Sequence, residues 1–200
     1  MKKITLILIV IFFCNSLFSQ ELKRRAQFGA DIENISDSIK IANKLSSTNG
    51  IFIINVKKNS SSDKLGLLPG DVVVKINGKI FVNYEEFFEI FSKLKEGDNV
   101  KLDIVRKSKP KTLQGLLLGI PLSSYSYADV IYDAVPLKNG LIRSILIKPK
   151  GEGKFPIVFF IQGYNCASID NMVGFHPYEK ILMGLVQRGY AICKIEKPGM

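Results

Sequence analysis

The sequence predicts two domains of different class. Residues 24–119 are expected to form an α+β domain, and residues 128–200 are expected to form part of an α/β domain with an incomplete mixed sheet. In the first region, short β-branched strands and tight-turn signals surround one amphipathic helical pattern. In the second region, a strand that is apolar at every position precedes a helix and another strand, which is typical of a parallel sheet. Residues 120–127 contain the Pro and Ser expected of a linker.

The N-terminus has the pattern of an export signal. Two lysines precede the apolar run Ile4–Cys14, which is too short to span a bilayer as a helix. Ser19 supplies a small residue before the expected cleavage point. We therefore predict a signal peptide over residues 1–19 and export across the inner membrane, to the periplasm or the extracellular space. A lipid anchor at Cys14 is disfavoured because the bulky Phe13 precedes it, and an uncleaved anchor is a further alternative.

Composition narrows the classes of function. The formal net charge is +10 and 46% of the residues are hydrophobic, so the chain can bury a core. We expect no nucleic-acid partner, because no basic stripe is interleaved with aromatic residues. We expect no metal or other cofactor, because the sequence has no Cys-x-x-Cys motif and no histidine cluster. Cys166 and Cys193 leave two alternatives open, one disulfide or two buried thiols.

The elements of the first domain follow from local signals. A strand, "GIFIINV", leads into a polar loop, and the "LPGD" turn at Leu68–Asp71 begins the strand "VVVKI". Asn77-Gly78 is a strong signal for a tight hairpin. Asn83 is placed to cap a helix. That helix is followed by "VKLDIVRK", which alternates as a half-buried strand does.

The predicted helix carries one apolar stripe. Its members recur at helical spacing: Tyr84, Phe87, Phe88, Phe91 and Leu94. We expect most of this stripe to pack in the core. Its first turn, Tyr84 or Phe87, is also a candidate for lining a groove.

The run "GLLPGDVVVKING", Gly66–Gly78, resembles the signature of a PDZ domain of the bacterial type found in periplasmic proteases. The resemblance covers residues 24–119. It implies that a peptide adds a strand beside the domain's sheet and along its helix, with its terminal carboxylate on backbone N–H groups. The matching loop is "QFGAD", which makes Phe28, Gly29 and Ala30 the expected peptide-binding residues together with Tyr84 and Phe87. Ala30 departs from the family, which has a bulky apolar residue there, and Asp31 adds a negative charge.

The second domain begins with two strands, "DVIYDAVPL" and "LIRSILIKP", joined by a short turn as a hairpin. The strand "PIVFFI" is apolar throughout, so we expect both of its faces to be covered. A helix follows with Tyr178, Ile181, Leu182 and Leu185 as its predicted core stripe, and Gly189 is placed to end it. The strand "YAICKIE" then completes a βαβ unit.

These elements resemble the first four strands and the first helix of an α/β-hydrolase, of the secreted esterase or acyl-peptidase kind. The resemblance implies that the loop after "PIVFFI", Gln162–Asn165, helps to hold an oxyanion. It assigns this role to Gly163 and to the N–H of Tyr164, with Gln162 and Asn165 adjacent; a plain packing role is the alternative for Tyr164. The family's His-Gly is Gln162-Gly163 here.

The catalytic nucleophile of that family has no counterpart in this sequence, since no glycine is followed two positions later by serine. His176 precedes the position that the family's histidine would take, and we expect it to start a helix. Ser168 is expected to be a loop residue, and Asp170 is expected to be a loop or cap residue. The sequence thus favours the N-terminal part of a longer serine hydrolase acting on a small ester or acyl substrate, with this chain inactive. The alternative is a non-catalytic PDZ module that binds a peptide or protein C-terminus and carries a hydrolase remnant.

Overall fold

The computed structural model describes residues 22–138, 140–161, 168–170 and 177–196, and they fold as mixed α and β structure. The first sheet is built from β1 (Ala30–Asn34), β2 (Ile51–Val56), β3 (Val72–Ile76), β4 (Lys79–Ile80), β5 (Asn99–Arg106) and β6 (Lys109–Leu116). Its helices are α1 (Asp37–Ala42), α2 (Ser61–Leu65) and α3 (Tyr84–Phe91). The second sheet is built from β7 (Ala128–Leu137), β8 (Gly140–Pro149), β9 (Ile157–Ile161) and β10 (Ala191–Ile195), with helix α4 (Pro177–Gln187) between the last two. None of the helices in these ranges is both long and apolar enough to cross a membrane.

The first sheet is antiparallel, with the strand order β1-β2-β3-β5-β6 and with β4 paired to β3. Helix α3 covers one face of it and buries Phe87 and Phe91. Both rings meet Phe28 edge-to-face, with centroid distances of 4.8 and 5.3 Å. This aromatic cluster fixes the loop before β1 against the helix, and that packing positions the candidate site.

The local signals of the first domain are confirmed. Asn77 and Gly78 both have positive φ, 51° and 78°, as a type I′ hairpin turn requires. The side chain of Asn83 caps α3 by accepting a hydrogen bond from the N–H of Glu86 at 3.0 Å. The predicted alternation of β5 is also present, with its core-facing side chains buried.

The "LPGD" turn ends in a buried ion pair. The Asp71 side chain is 1% exposed and receives two hydrogen bonds from Arg106, each 2.7 Å long. It also accepts from the N–H of Leu68 at 2.8 Å, which closes the turn. The Asp71 carboxylate raises the pKa of the Arg106 guanidinium. The aspartate therefore ties the turn to the far end of β5.

The stripe on α3 is narrower than predicted. The helix ends at Phe91 rather than at Leu94, and only Phe87 and Phe91 among its residues are buried. Tyr84 and Phe88 remain 41% and 48% exposed. Helical spacing locates the side of a helix that faces the core, but it does not determine how far the covering elements extend around that side.

The second sheet is mixed, with the strand order β7-β8-β10-β9. Strands β7 and β8 form the predicted hairpin, and β8 pairs antiparallel with β10. Strands β9 and β10 are parallel, as the predicted βαβ unit requires. Helix α4 packs on one face, over a core that includes Ile145, Ile147 and Ile192.

The prediction that both faces of β9 are covered is wrong for the described residues. Ile157, Phe159 and Ile161 are 53%, 62% and 82% exposed, whereas the alternate residues Val158 and Phe160 pack beside α4. Strand β9 is an end strand, and the side chains of successive residues point to opposite faces. One helix can therefore cover only every second residue.

The core stripe of α4 also differs from the prediction. Leu182 is buried as expected and Leu185 is partly buried. Tyr178 and Ile181 are exposed, and Met183 and Val186 take the buried positions instead. The helix is apolar on more than one side, so periodicity alone did not identify the side that faces the sheet.

Short polar contacts connect the two sheets through the residues before β1. Arg24 pairs with Glu96 through two hydrogen bonds of 2.9 and 2.7 Å and donates a third to the carbonyl of Ile120. Two residues earlier, the carbonyl of Leu22 accepts from Arg143 of β8 at 2.7 Å. The residues before β1 thus bind both to the first domain and to the second sheet.

Only one of Cys166 and Cys193 lies within the described residues. Cys193 is a free, half-buried thiol in β10, and burial raises its pKa. Cys166 lies outside the described residues.

Candidate peptide-binding site

The loop that precedes β1 is held by its carbonyl groups. The carbonyl of Phe28 accepts from the N–H of Ser62, and that of Gly29 accepts from the N–H of Lys57, both at 2.9 Å. The Ser60 hydroxyl adds a further bond to Gly29 at 3.1 Å. Strand β2 and helix α2 therefore fix the loop from one side.

Only glycine fits at position 29. Its φ is +75°, and a Cβ there would lie 2.2 Å from the Cβ of Ser60, closer than real Cβ atoms approach one another. This conformation and this contact both exclude a side chain, so position 29 requires glycine.

The same loop has free hydrogen-bond donors. Within the described residues, the N–H groups of Phe28 and Gly29 donate to no protein acceptor. They lie just before β1, which is the end strand of its sheet. Unpaired backbone N–H groups can bind an anion, and an open strand edge can pair with an added strand, so the two features together can accept the end of a peptide.

Helix α3 runs beside this edge. The N–H of Tyr84, at the helix start, donates to Oδ1 of Asn34, at the end of β1, at 2.9 Å. The rings of Tyr84 and Phe88 lie 6.3 Å apart and are both exposed. The helix thus presents an aromatic pair along its length, close to a strand that has one unpaired edge.

The predicted peptide-binding residues divide into two groups. Gly29, Ala30 and Tyr84 are available, through the loop, the start of β1 and an exposed ring. The side chains of Phe28 and Phe87 are buried at 6% and 0% exposure, so Phe28 contributes its backbone and Phe87 contributes packing alone. The spacing of Phe88 predicts a core position, yet its side chain is exposed, and it belongs with the candidate peptide-binding residues.

The negative charge of Asp31 is partly offset. Nζ of Lys57 lies 3.8 Å from its carboxylate, and the amide of Asn55 donates to it at 3.3 Å. Both ionised side chains are more than half exposed, so this pairing is weak. It nevertheless reduces the repulsion that a peptide carboxylate would meet near this strand.

The predicted oxyanion loop, with Gln162, Gly163, Tyr164 and Asn165, lies outside the described residues, as does His176. The chain that follows the loop, residues 168–170, is described, and it is tied to the end of β10. One oxygen of Glu196 accepts from the Ser168 hydroxyl at 2.5 Å and from the N–H groups of Ile169 and Asp170. Ser168 and Asp170 therefore serve as loop residues, which matches their predicted role.

Two buried groups complete this anchor. Nζ of Lys194 donates to the carbonyl of Ile169 at 3.0 Å, and burial lowers the pKa of its ammonium. The Tyr132 hydroxyl donates to Asp170 at 2.7 Å, and burial, followed by this bond, raises the pKa of Tyr132 to about 12. These contacts stabilise the chain after the loop. They bring no nucleophile, base and orienting acid together within the described residues.

Comparison with known proteins identifies the first domain. A family model described as PDZ domain matches residues 27–115. The serine protease Do-like HtrB of Bacillus subtilis (strain 168) is 38% identical over 69 residues, which is 34% of this chain and 15% of that protein. The periplasmic pH-dependent serine endoprotease DegQ of Escherichia coli (strain K12) is 28% identical over 130 residues, 65% of this chain and 28% of that protein. The chain thus spans less than a third of these curated relatives.

Two solved structures of HtrA proteins are similar to about half of this chain. An HtrA-type protease AlgW with decapeptide has a TM-score of 0.44 and 20% identity, over 48% of this chain and 30% of that one. The HtrA3 PDZ domain bound to a phage-derived ligand (FGRWV) has a TM-score of 0.38 and 22% identity, over 48% of this chain and 89% of that one.

The curated relatives are serine proteases and not esterases, so they do not support the predicted ester or acyl-peptide hydrolase. The match to the PDZ family model therefore applies to the first domain alone. Residues 27–115 of this chain are a PDZ domain.

Proposed function

We propose that this PDZ domain binds the C-terminal end of a peptide or protein as an added strand beside β1. The observation that carries the proposal is the pair of unpaired N–H groups, at Phe28 and Gly29, in a loop whose shape admits only glycine at position 29. A terminal carboxylate is the anion that such a loop accepts while the preceding residues pair with the open edge. The solved PDZ domain of HtrA3 with a bound peptide supports this mode for a similar domain.

The side chains favour an apolar last residue. Ala30 is half-buried and leaves more space than the bulky residue usual at its position. The exposed rings of Tyr84 and Phe88 can cover a side chain placed beside them. We therefore expect peptides that end in a large apolar or aromatic residue to bind more tightly than peptides that end in a charged one.

The test compares free acids with amides. Fluorescence anisotropy would measure the binding of labelled FGRWV, and of variants that change only its last residue, to the full chain. Amidation removes the carboxylate and retains every side chain, so the amide should bind at least about tenfold more weakly, as expected when charge-assisted hydrogen bonds are lost. Equal affinity of the acid and the amide across the whole peptide set would refute the proposal.

A matched pair of variants tests the groove. Phe88→Ala should weaken binding about fivefold or more, since it removes an exposed ring next to the proposed peptide. Leu116→Ala removes a similarly exposed apolar side chain at the opposite edge of the same sheet, and it should leave affinity unchanged. Melting temperatures would confirm that both variants fold.

We also propose that the protein acts after export, in the periplasm or outside the cell. The support is the signal pattern over residues 1–19 and the relatives named as periplasmic endoproteases. A fusion to a reporter that is active only in the periplasm would test this, and a fusion that is produced in full length but shows no reporter activity would contradict it.

The α/β-hydrolase assignment of residues 128–200 stays a prediction. Its support is the antiparallel β7-β8 hairpin and the parallel β9-α4-β10 unit, which agree with the hairpin and the βαβ unit that the sequence predicts. The curated relatives give no support for an ester or acyl substrate. The proposed function is therefore confined to peptide binding.

A further inference from the structure

A cavity of about 450 Å³ lies on the outer face of the PDZ sheet, away from α3. Its floor is formed by Val74, Lys75 and Val105, whose neighbours in the strands face the core. The segment after α1, residues 43–49, forms a wall. A second cavity of about 430 Å³ shares Val74, Lys75, Val105 and Pro110, so the two form one groove along β3 and β5.

A β-bulge creates the floor. The register of β3 against β5 shifts between Val73 and Lys75, and Val73 and Ile76 are fully buried in the core. Val74 and Lys75 are half-buried on the other face. The bulge therefore places an apolar and a cationic side chain next to each other on a surface that solvent reaches.

The wall is held close to the sheet. Gly50 has a φ of +123°, and a Cβ there would lie 2.4 Å from the carbonyl oxygen of Val73 and 3.2 Å from Cδ1 of Ile35. Ile35 is itself buried. The backbone of Gly50 therefore lies close to β3, and the buried Ile35 precedes the 36–49 segment, so both ends of this segment lie near the sheet.

The groove is positively charged. Lys44 and Lys75 line the larger cavity, which has no acidic side chain in its lining, and Lys111 lines the smaller one. None of these three lysines forms an ion pair with another described residue. The one acidic side chain of the smaller cavity, Asp103, accepts a hydrogen bond from Thr112 at 2.9 Å.

We propose that this groove binds a small amphipathic anion from solution. Its apolar part would contact Val74, Ile80, Val105 and Pro110, and its carboxylate or phosphate would lie between Lys44 and Lys75. Cavities of roughly 300–1,000 Å³ with apolar walls and a few polar groups are typical of small-molecule sites. The concave wall favours a soluble ligand over a flat membrane surface. The site is distinct from the β1 edge, so one domain would bind a peptide and a small anion at the same time.

The test uses octanoate, with octanol and octyltrimethylammonium as neutral and cationic controls. In ¹⁵N NMR spectra of the full chain, octanoate should shift the amides of residues 43–49, Val74, Lys75 and Val105 in a saturable way. Octanol should bind more weakly, and the cation should produce no saturable shift there. Saturable binding of all three probes with equal affinity would overturn the proposed anion selectivity.

Charge removal tests the assignment of the anionic end. Lys44→Gln and Lys75→Gln should each weaken octanoate binding about threefold to fivefold, the range for solvent-accessible ion pairs. Lys64→Gln removes an exposed lysine that lines neither cavity and should change nothing. Unchanged affinity in both groove variants, with a normal melting temperature, would refute the site. A further experiment measures binding to vesicles that contain phosphatidylglycerol. Binding of these vesicles without binding of octanoate would refute the proposal and indicate that the groove contacts a membrane instead.

Discussion

The buried pair of Asp71 and Arg106 offers the sharpest test of how the PDZ motif stabilises its domain. The Asp71 side chain is 1% exposed and that of Arg106 is 21% exposed, and two bonds of 2.7 Å join them. Breaking a buried pair by removing one partner costs about 3–5 kcal/mol because the other charge is left uncompensated. We expect the two single replacements to be unequal, since the two partners differ in their access to water.

Arg106→Ala leaves the carboxylate without its cation inside the protein. The Leu68 N–H then remains as the only described partner of the carboxylate. We therefore expect the free energy of unfolding to fall by about 4 kcal/mol, near the upper end of that range. Asp71→Ala leaves a guanidinium that still bonds to the carbonyl of Gly66 and reaches solvent. The fall in unfolding free energy caused by Asp71→Ala should be smaller, about 2–3 kcal/mol, and much of it should come from the unpaired N–H of Leu68.

The assay is native-state hydrogen exchange of the full chain, read at amides of β3 and β5. Arg106 is the last residue of β5, and Asp71 directly precedes β3. The free energies of opening measured at these amides therefore report on the first domain, even if the two sheets do not unfold together. The double variant completes a cycle that isolates the pairwise energy. Glu89→Ala provides the matched control, because Glu89 and Lys93 form an exposed pair at 3.4 Å that should contribute less than about 0.5 kcal/mol. Losses below about 1 kcal/mol in both single variants would refute the argument that burial makes this pair important.

The remaining predictions concern domain independence and acid stability. A fragment of residues 22–120 should unfold in one cooperative transition in urea, whereas a fragment of residues 121–200 should show none, because the outer side chains of β9 have no cover in the described structure. Two sharp, independent transitions in the full chain would contradict this prediction. The hydrogen bond from Arg24 lowers the pKa of Glu96, so its contribution to stability is present above the ordinary value of 4.5 and is lost as pH falls below it. The melting temperature should therefore drop more steeply between pH 5 and pH 3 in the wild type than in Glu96→Gln, and an identical pH profile would count against the contribution of this pair.

The sequence predicted those parts of the PDZ domain that depend on neighbours in the chain. The Asn77-Gly78 hairpin needs two positive φ angles, and the Asn83 cap needs one side chain near its own helix. Both requirements are local, so residue type alone reveals them. The glycine loop at position 29 was also recognised, although the contact that makes glycine necessary comes from Ser60, which is distant in the chain.

The features that were missed depend on contacts between distant segments. Phe88 has the same spacing as Phe87, yet one is exposed and the other is buried, because the elements around α3 extend over only part of its apolar side. The groove over β3 could not be predicted, since it needs the bulge at Val73 and the packing of Ile35 against the sheet. Residue type shows that a surface is apolar, but only the tertiary arrangement shows what covers it.

The two sheets differ in how completely their apolar side chains are covered. The first sheet has a core closed by α3, with Phe87 fully buried, and both proposed binding sites lie on its edge or its outer face. The second sheet exposes Phe159 and Ile161 within the described residues, so its stability depends more on what it contacts. The link through Leu22 and Arg143 joins the PDZ domain to this less protected sheet. If peptide binding at β1 rigidifies the segment before it, hydrogen exchange in β8 should slow as well. Slower exchange in β8 would show that the second sheet senses occupancy of the PDZ domain, whereas slower exchange confined to β1 and β2 would show two domains that only share a chain.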